Sequence, residues 1–212
     1  MYPNYARSER IADGTMHFVG VTGAIIGAVI LIIWAAGMVN PAQIAAVSVY
    51  GATLVATFVA SALYHMTPWE NLRPTFRRFD HAAIYLKIAG TYTPLVVMIG
   101  NAFAYIVLCV IWGLAVLGIV LKLFFWRQPG QFGSALYLVM GWLSVLLLWS
   151  LWPILPGVAM ALIAIGGLLY TAGVYFYAAE QMKFSNAIWH GFVVMASACF
   201  FAAISFGVAA MT

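Results

Sequence analysis

The sequence predicts an all-α bundle of seven membrane-spanning helices, and three observations carry that prediction. Of the 212 residues, 66% are hydrophobic and 7% are charged, against about 25% charged in an ordinary soluble domain. Apolar stretches of about 20 residues, long enough to cross a hydrocarbon core about 30 Å thick, recur along the whole chain. The cations gather in alternate breaks between those stretches. Together these features imply a single integral membrane domain over residues 1–212 and no soluble domain. The formal net charge of +4 comes from few residues, so its meaning lies in their placement, and no nucleic-acid partner is expected.

The spans fall at about 16–38, 43–66, 81–99, 102–124, 132–152, 156–178 and 186–210. The first follows the polar segment MYPNYARSERIADGTMH, which has no short apolar core with a small-residue cleavage site and is not expected to be a cleaved signal. It ends before the turn pair Asn40-Pro41, and the second span ends at the polar stretch Thr67–Phe79. The third closes at Gly100-Asn101, the fourth at Arg127-Gln128-Pro129-Gly130, the fifth at Trp152–Pro156 and the sixth at Gln181–Ser185. Breaks this short make consecutive helices antiparallel neighbours. Cys109 and Cys199 lie inside apolar segments without disulfide or zinc-ribbon spacing, and are expected to pack as small buried hydrophobes. Gly20, Gly23 and Gly27 suggest close helix packing.

Orientation follows from the cations, because Lys and Arg are retained on the cytoplasmic side during insertion. Arg7 and Arg10 precede the first span, Arg73, Arg77 and Arg78 follow the second, Lys122 and Arg127 end the fourth, and Lys183 follows the sixth. The alternate breaks contain none. This predicts a cytoplasmic N-terminus and, after seven crossings, a C-terminus outside. Lys87 alone falls well within a span, about two turns into the third, from where its ammonium is expected to snorkel to the surface.

The other polar residues collect at the same rim. His17 opens the first span, His65 closes the second, Asp80 and His81 open the third, and His190 lies in the first turns of the seventh. Ionisable groups at membrane depth cost roughly 2.5–3.5 kcal/mol on insertion scales, so they are kept mainly where they pair, line a cavity or hold an ion. Residues four apart share a helix face, which groups Ser61 with His65 and Asn186 with His190. Glu9, Asp13 and His17 form a similar stripe if their segment is helical; completing the site, carrying protons and capping the first helix are all open to them. Asp80 and His81 point about 100° apart, so one of them has a different role. A lone interfacial histidine such as His17 or His81 is more often a hydrogen-bonded structural residue than a ligand. The centre these patterns suggest combines His65, His190, Asp80 and Asn186 from the second, third and seventh helices. Neutral imidazoles with an open position are the makings of a catalytic zinc site.

Four segments carry a resemblance: SALYHMTP, FDHAAIYLKIAGTYTP (Phe79–Pro94), MGWLS (Met140–Ser144) and AIWHGFVV (Ala187–Val194). In order and along nearly the whole chain, they resemble the bacterial hemolysin III proteins, which belong with the progestin and adipoQ receptors and, more distantly, the alkaline ceramidases. The resemblance implies seven helices with the N-terminus inside, in the bacterial plasma membrane. That family's pattern has Ser-x-x-x-His ending helix two, an Asp opening helix three and His-x-x-x-His on helix seven. It would make His65 and His190 zinc ligands and place Asp80 against a zinc-bound water, beside Ser61. Asn186 stands where the pattern has the first His of the last motif. An amide oxygen is a poorer zinc donor than imidazole, so the implied zinc site is one imidazole short and weaker. The implied activity is hydrolysis of a lipid amide or ester near the inner leaflet, with Asp80 as base, Ser61 placing the substrate and the acyl chain supplied by the bilayer. The alternative is a receptor-like or regulatory protein with a structural metal. A cytolytic pore fits less well, because no span has the regular polar stripe of a channel lining.

Overall fold

With no water to satisfy backbone groups inside a bilayer, so apolar a chain is confined to structures that bond their own backbone. In a computed structural model, which describes residues 5–125, 132–179 and 181–211, the described residues form helices and turns and no strand. The break at Arg127–Gly130 lies outside the described residues. Six helices are long and apolar enough to cross a membrane: α1 (Arg7–Ala36), α2 (Pro41–Met66), α3 (Arg73–Ile99), α4 (Ala102–Phe124), α7 (Gly157–Ala178) and α8 (Ser185–Ala209). Between α4 and α7 lies a shorter apolar segment made of α5 (Phe132–Trp142), a 3₁₀ stretch Leu143–Leu147 and the single turn α6 (Leu148–Leu151).

Two boundaries follow the sequence's own punctuation. Asn40 caps α2, accepting a bond from the Gln43 N–H at 3.1 Å with Pro41 in the first turn, and Asn101 caps α4 by accepting from Ala104 at 2.9 Å. Gly100 ends α3 in the left-handed region at φ 69°, where a Cβ would be unfavourable.

Three elements differ from the pattern reading. The first helix begins at Arg7 instead of about residue 16, which makes the Glu9, Asp13, His17 stripe real. The third begins at Arg73, so most of the predicted Thr67–Phe79 break is helical and Asp80 and His81 sit two turns inside α3. Pro74 suits that first turn, and the Arg73 guanidinium secures it by donating to the carbonyls of Tyr64 and Thr67, at 3.4 and 2.8 Å. The fifth span is not one regular helix. Tyr92 of α3 donates its hydroxyl to the carbonyls of Met140 and Gly141, at 2.7 and 3.0 Å. Those are the acceptors that an α-helix would offer to residues 144 and 145, and the chain tightens to 3₁₀ just beyond them.

In the bundle, α3 is central: 61% of its apolar window is buried, against 22–44% for the other five long helices. It packs between α2 and α4, while α1 lies between α2 and α8, and α7 lies on α8. The α2–α3 contact is very close. A Cβ built on Gly90 would stand 1.9 Å from Thr53 Oγ1, and Thr57 donates across the contact to the Ala83 carbonyl at 3.0 Å. Of the glycines singled out on α1, Gly20 meets the Phe58 ring and Gly27 the Phe201 ring, while Gly23 faces open space. Cys109 is exposed on α4, contrary to its expected burial, because its position is on the helix face turned away from α3; Cys199 is partly buried. The α5–α6 segment packs only lightly on α3 and α7, which leaves room for a cavity.

Candidate metal centre

Spacing of four residues on α1 stacks Glu9, Asp13 and His17 along one face, and that face turns toward the ends of α2 and α8. Asp13 and His17 are each 4% exposed and His190 is 7% exposed. Around the Asp13 carboxylate stand three imidazoles from three helices. His190 Nδ1 lies 2.6 Å from Asp13 Oδ1, while His17 Nε2 and His65 Nδ1 are each 3.6 Å from Oδ2. The rings face one another with centroids 4.3 to 5.2 Å apart. One potential donor atom from each of Asp13, His17, His65 and His190 falls within 4.8 Å of the rest.

The chemistry of this donor set fits a divalent cation. Zinc bonds imidazole nitrogen at about 2.0–2.1 Å and carboxylate oxygen at about 2.0–2.2 Å, most often with four ligands. Shifts of about an ångström would draw four donors already this close onto one ion. One atom points to a missing partner: His17 Nε2 is fully buried and has no hydrogen-bond partner among the described residues, since 3.6 Å to Asp13 is too long for a hydrogen bond. Leaving such an atom unsatisfied costs about 1–3 kcal/mol. Metal ligation would satisfy it.

The remaining site residues are arranged around this group. Glu9 is a clamp: its carboxylate accepts from the Ala6 N–H at 3.0 Å and from the Phe184 N–H at 2.9 Å. It thereby joins the start of α1 to the start of α8, where Phe184 is held at φ 63°, a conformation costly for a side chain of that size. Asn186 donates its amide to the Tyr5 hydroxyl at 3.0 Å and is outside the donor group. Asp80 is outside it too; its carboxyl faces Ser61, Arg77 and His190 from α3. Ser61 and Asp80 line the same cavity as His17, His65 and His190. His81 turns toward the Tyr177 ring, 6.5 Å away, and does not join the group.

That cavity has a volume of about 880 Å³. Its lining includes Glu70, Arg73 and Arg77, the histidines, and the apolar side chains of Phe58, Ile84, Val194, Leu147 and Leu151. Lys87 is in its wall, 7% exposed, with its ammonium 2.7 Å from Ser197 Oγ. The expected snorkelling does not occur, because the hydroxyl of Ser197 and the faces of Phe58 and Tyr170, 4.8 and 5.0 Å away, provide an inward polar environment.

A model of the haemolysin-III-related family matches residues 5–201, a stretch that contains every residue of the donor group. The chain belongs to the haemolysin-III family. It is 35% identical to the hemolysin-3 homolog of Bacillus subtilis over 199 residues, 93% of each chain. With hemolysin-3 of Bacillus cereus the identity is 36% over 199 residues, 93% of this chain and 91% of the relative. The human monocyte to macrophage differentiation factor is 30% identical over 164 residues, 74% of this chain and 67% of that protein. The match and the apolar helices make this haemolysin-III chain a multi-pass membrane protein with a buried Asp/His group at metal-binding distances.

The part of this centre that pattern reading underweighted is α1. The stripe of Asp13 and His17 was visible as a four-residue spacing, but only the packing of α1 against α2 and α8 brings it to His65 and His190.

Proposed function

We propose that this protein is a membrane-embedded, zinc-dependent hydrolase acting on an amide or ester bond of a lipid. The observation that carries the reading is the fully buried, unpartnered His17 Nε2 inside a three-histidine, one-carboxylate group that opens into a cavity large enough for a lipid chain. His17, His65 and His190 would hold the ion with Asp13, either as a direct ligand or by orienting His190 through the 2.6 Å contact. In this reading His17 supplies the imidazole that Asn186 does not. Zinc, when bound, polarises a carbonyl and acidifies water.

The chain's own residues do the rest. The apolar wall at Phe58, Ile84 and Val194 takes the acyl chain and excludes water around it, which places the carbonyl at the histidine end. Asp80 accepts a proton from water at that end, and Ser61 beside it fixes the carboxyl's orientation. Arg73 and Arg77 in the cavity lining attract the polar head of the lipid. The cations and the donor group lie at the same end of the bundle, where Arg73 bonds the end of α2 and Arg78 reaches the Leu123 carbonyl at the end of α4. By the retention rule, that end is cytoplasmic, in the bacterial plasma membrane. The test is turnover of a long-chain lipid amide by the purified zinc-loaded protein. Asp80→Ala is expected to abolish it while leaving the helical fold intact, and undiminished turnover by Asp80→Ala would reject the catalytic assignment.

A second reading has one specific observation in its favour: the donors come from α1, α2 and α8, so an ion would also clamp three helix ends. If the metal is purely structural, its removal lowers the melting temperature and no lipid is turned over at any metal load.

A further inference from the structure

Beyond the histidine end, the cavity holds a second polar layer that the hydrolytic reading does not use. Lys87 follows Asp80 by seven residues on α3, and Ser197 follows His190 by seven on α8. Both therefore lie about 10 Å deeper along their helices. A lysine this far buried needs compensation, yet among the described residues Lys87 forms no ion pair with a carboxylate. Its hydrogen-bond partner is the Ser197 hydroxyl at 2.7 Å. Ser197 gives its own proton to the Val193 carbonyl at 2.5 Å, so its lone pairs receive Lys87 and the Tyr170 hydroxyl, the latter at 3.0 Å. An ammonium has three N–H donors; one is used here, and the group borders the cavity.

We propose that Lys87, supported by Ser197 and Tyr170, is an anion subsite that binds the carboxylate of a long-chain fatty acid drawn from the bilayer. One positive charge with two spare donors matches one carboxylate, whereas a phosphate dianion would leave charge uncompensated. The hydrocarbon follows from the walls, because Phe58, Ile84, Leu147 and Leu151 surround the approach. The route follows from the gap between α5 and α7. There Trp142 and Leu168 line the cavity while being 48% and 59% exposed. Among the described residues, a side-chain hydrogen bond of 3.3 Å, from Trp142 Nε1 to Thr171 Oγ1, links the two helices there. The volume of about 880 Å³ is within the usual range for one amphiphile. This subsite requires no metal and holds whether or not the histidine end hydrolyses anything.

The test is equilibrium binding of radiolabelled oleic acid and oleyl alcohol to the full chain in nanodiscs, with a chelator present to keep the histidine end free of metal. The two probes differ only in the charged head. Wild type is expected to bind the acid at least about 30-fold more tightly than the alcohol, corresponding to about 2 kcal/mol at 1.4 kcal/mol per tenfold. Lys87→Met, which removes the charge but retains the bulk, is expected to remove that preference and leave alcohol binding unchanged. Unaltered alcohol binding also shows that the variant is folded. Equal affinity of the wild type for acid and alcohol overturns the proposal without using any variant. So does a preference for the acid that survives Lys87→Met, or a loss of both probes together. Absence of lipid-amide turnover by the zinc-loaded wild type, with the acid preference intact, would refute the hydrolytic reading alone.

Discussion

Replacing Asp13 by asparagine isolates the charge at the middle of the donor group. The amide has the same size as the carboxylate and keeps an oxygen that can accept from His190 Nδ1, now 2.6 Å away. It lacks the negative charge that faces all three imidazoles, and an amide is a weak ligand for a divalent ion. Carboxylates that ligate a metal or orient its histidines are commonly worth 10- to 100-fold in affinity, about 1.4–2.8 kcal/mol. Without metal, exchanging a charge-assisted hydrogen bond for a neutral one costs about 1 kcal/mol. Asp13→Asn should therefore weaken zinc at least about tenfold and lower the melting temperature of the metal-free protein slightly. Competition with a chromophoric chelator, on protein purified in detergent, measures the first; a thermal melt measures the second. Asp80→Asn is the internal control, since Asp80 is outside the donor group and should retain near-wild-type affinity. Wild-type affinity in Asp13→Asn, or an equal loss in Asp80→Asn, would refute the assignment of Asp13 to the metal centre.

Two further outcomes are expected. Asn186→His adds an imidazole one helical turn from His190 and should raise zinc affinity, read as greater retention after dialysis against a mild chelator; equal retention by both proteins would count against a site that can use that position. Gly90→Ala places a Cβ at 1.9 Å from Thr53 Oγ1, so the α2–α3 contact must open, and overpacking of this kind destabilises by about 1–3 kcal/mol. An unchanged thermal melt for Gly90→Ala would show that α2 and α3 are not in such close contact.

How much was legible in the sequence depended on whether the cause was local. Long apolar runs, the caps at Asn40 and Asn101 and the stop at Gly100 all act within a few residues of themselves, and the spans they bound read directly. The start of α3 was hidden because Arg73–Phe79 is a rim segment, where a helix carries charge and loses the apolar periodicity that marks a span. The irregular fifth segment was invisible because its cause is the hydroxyl of Tyr92, 48 residues before Met140. For the site, His65 and His190 announced themselves by position, whereas Asp13 and His17 required knowing that α1 packs on both α2 and α8. Lys87 read as a snorkelling residue from its depth alone; only the tertiary placement of Ser197 and two aromatic faces turns it inward.

The central claim is that α1 completes a metal centre with α2 and α8. It is tested most directly by elemental analysis of the protein purified from membranes without chelator, comparing wild type with His17→Ala. The account predicts about one zinc ion per wild-type chain and a clear loss of zinc from His17→Ala protein that remains folded. Equal zinc in the two proteins, or none in the wild type even after zinc is supplied, would contradict it.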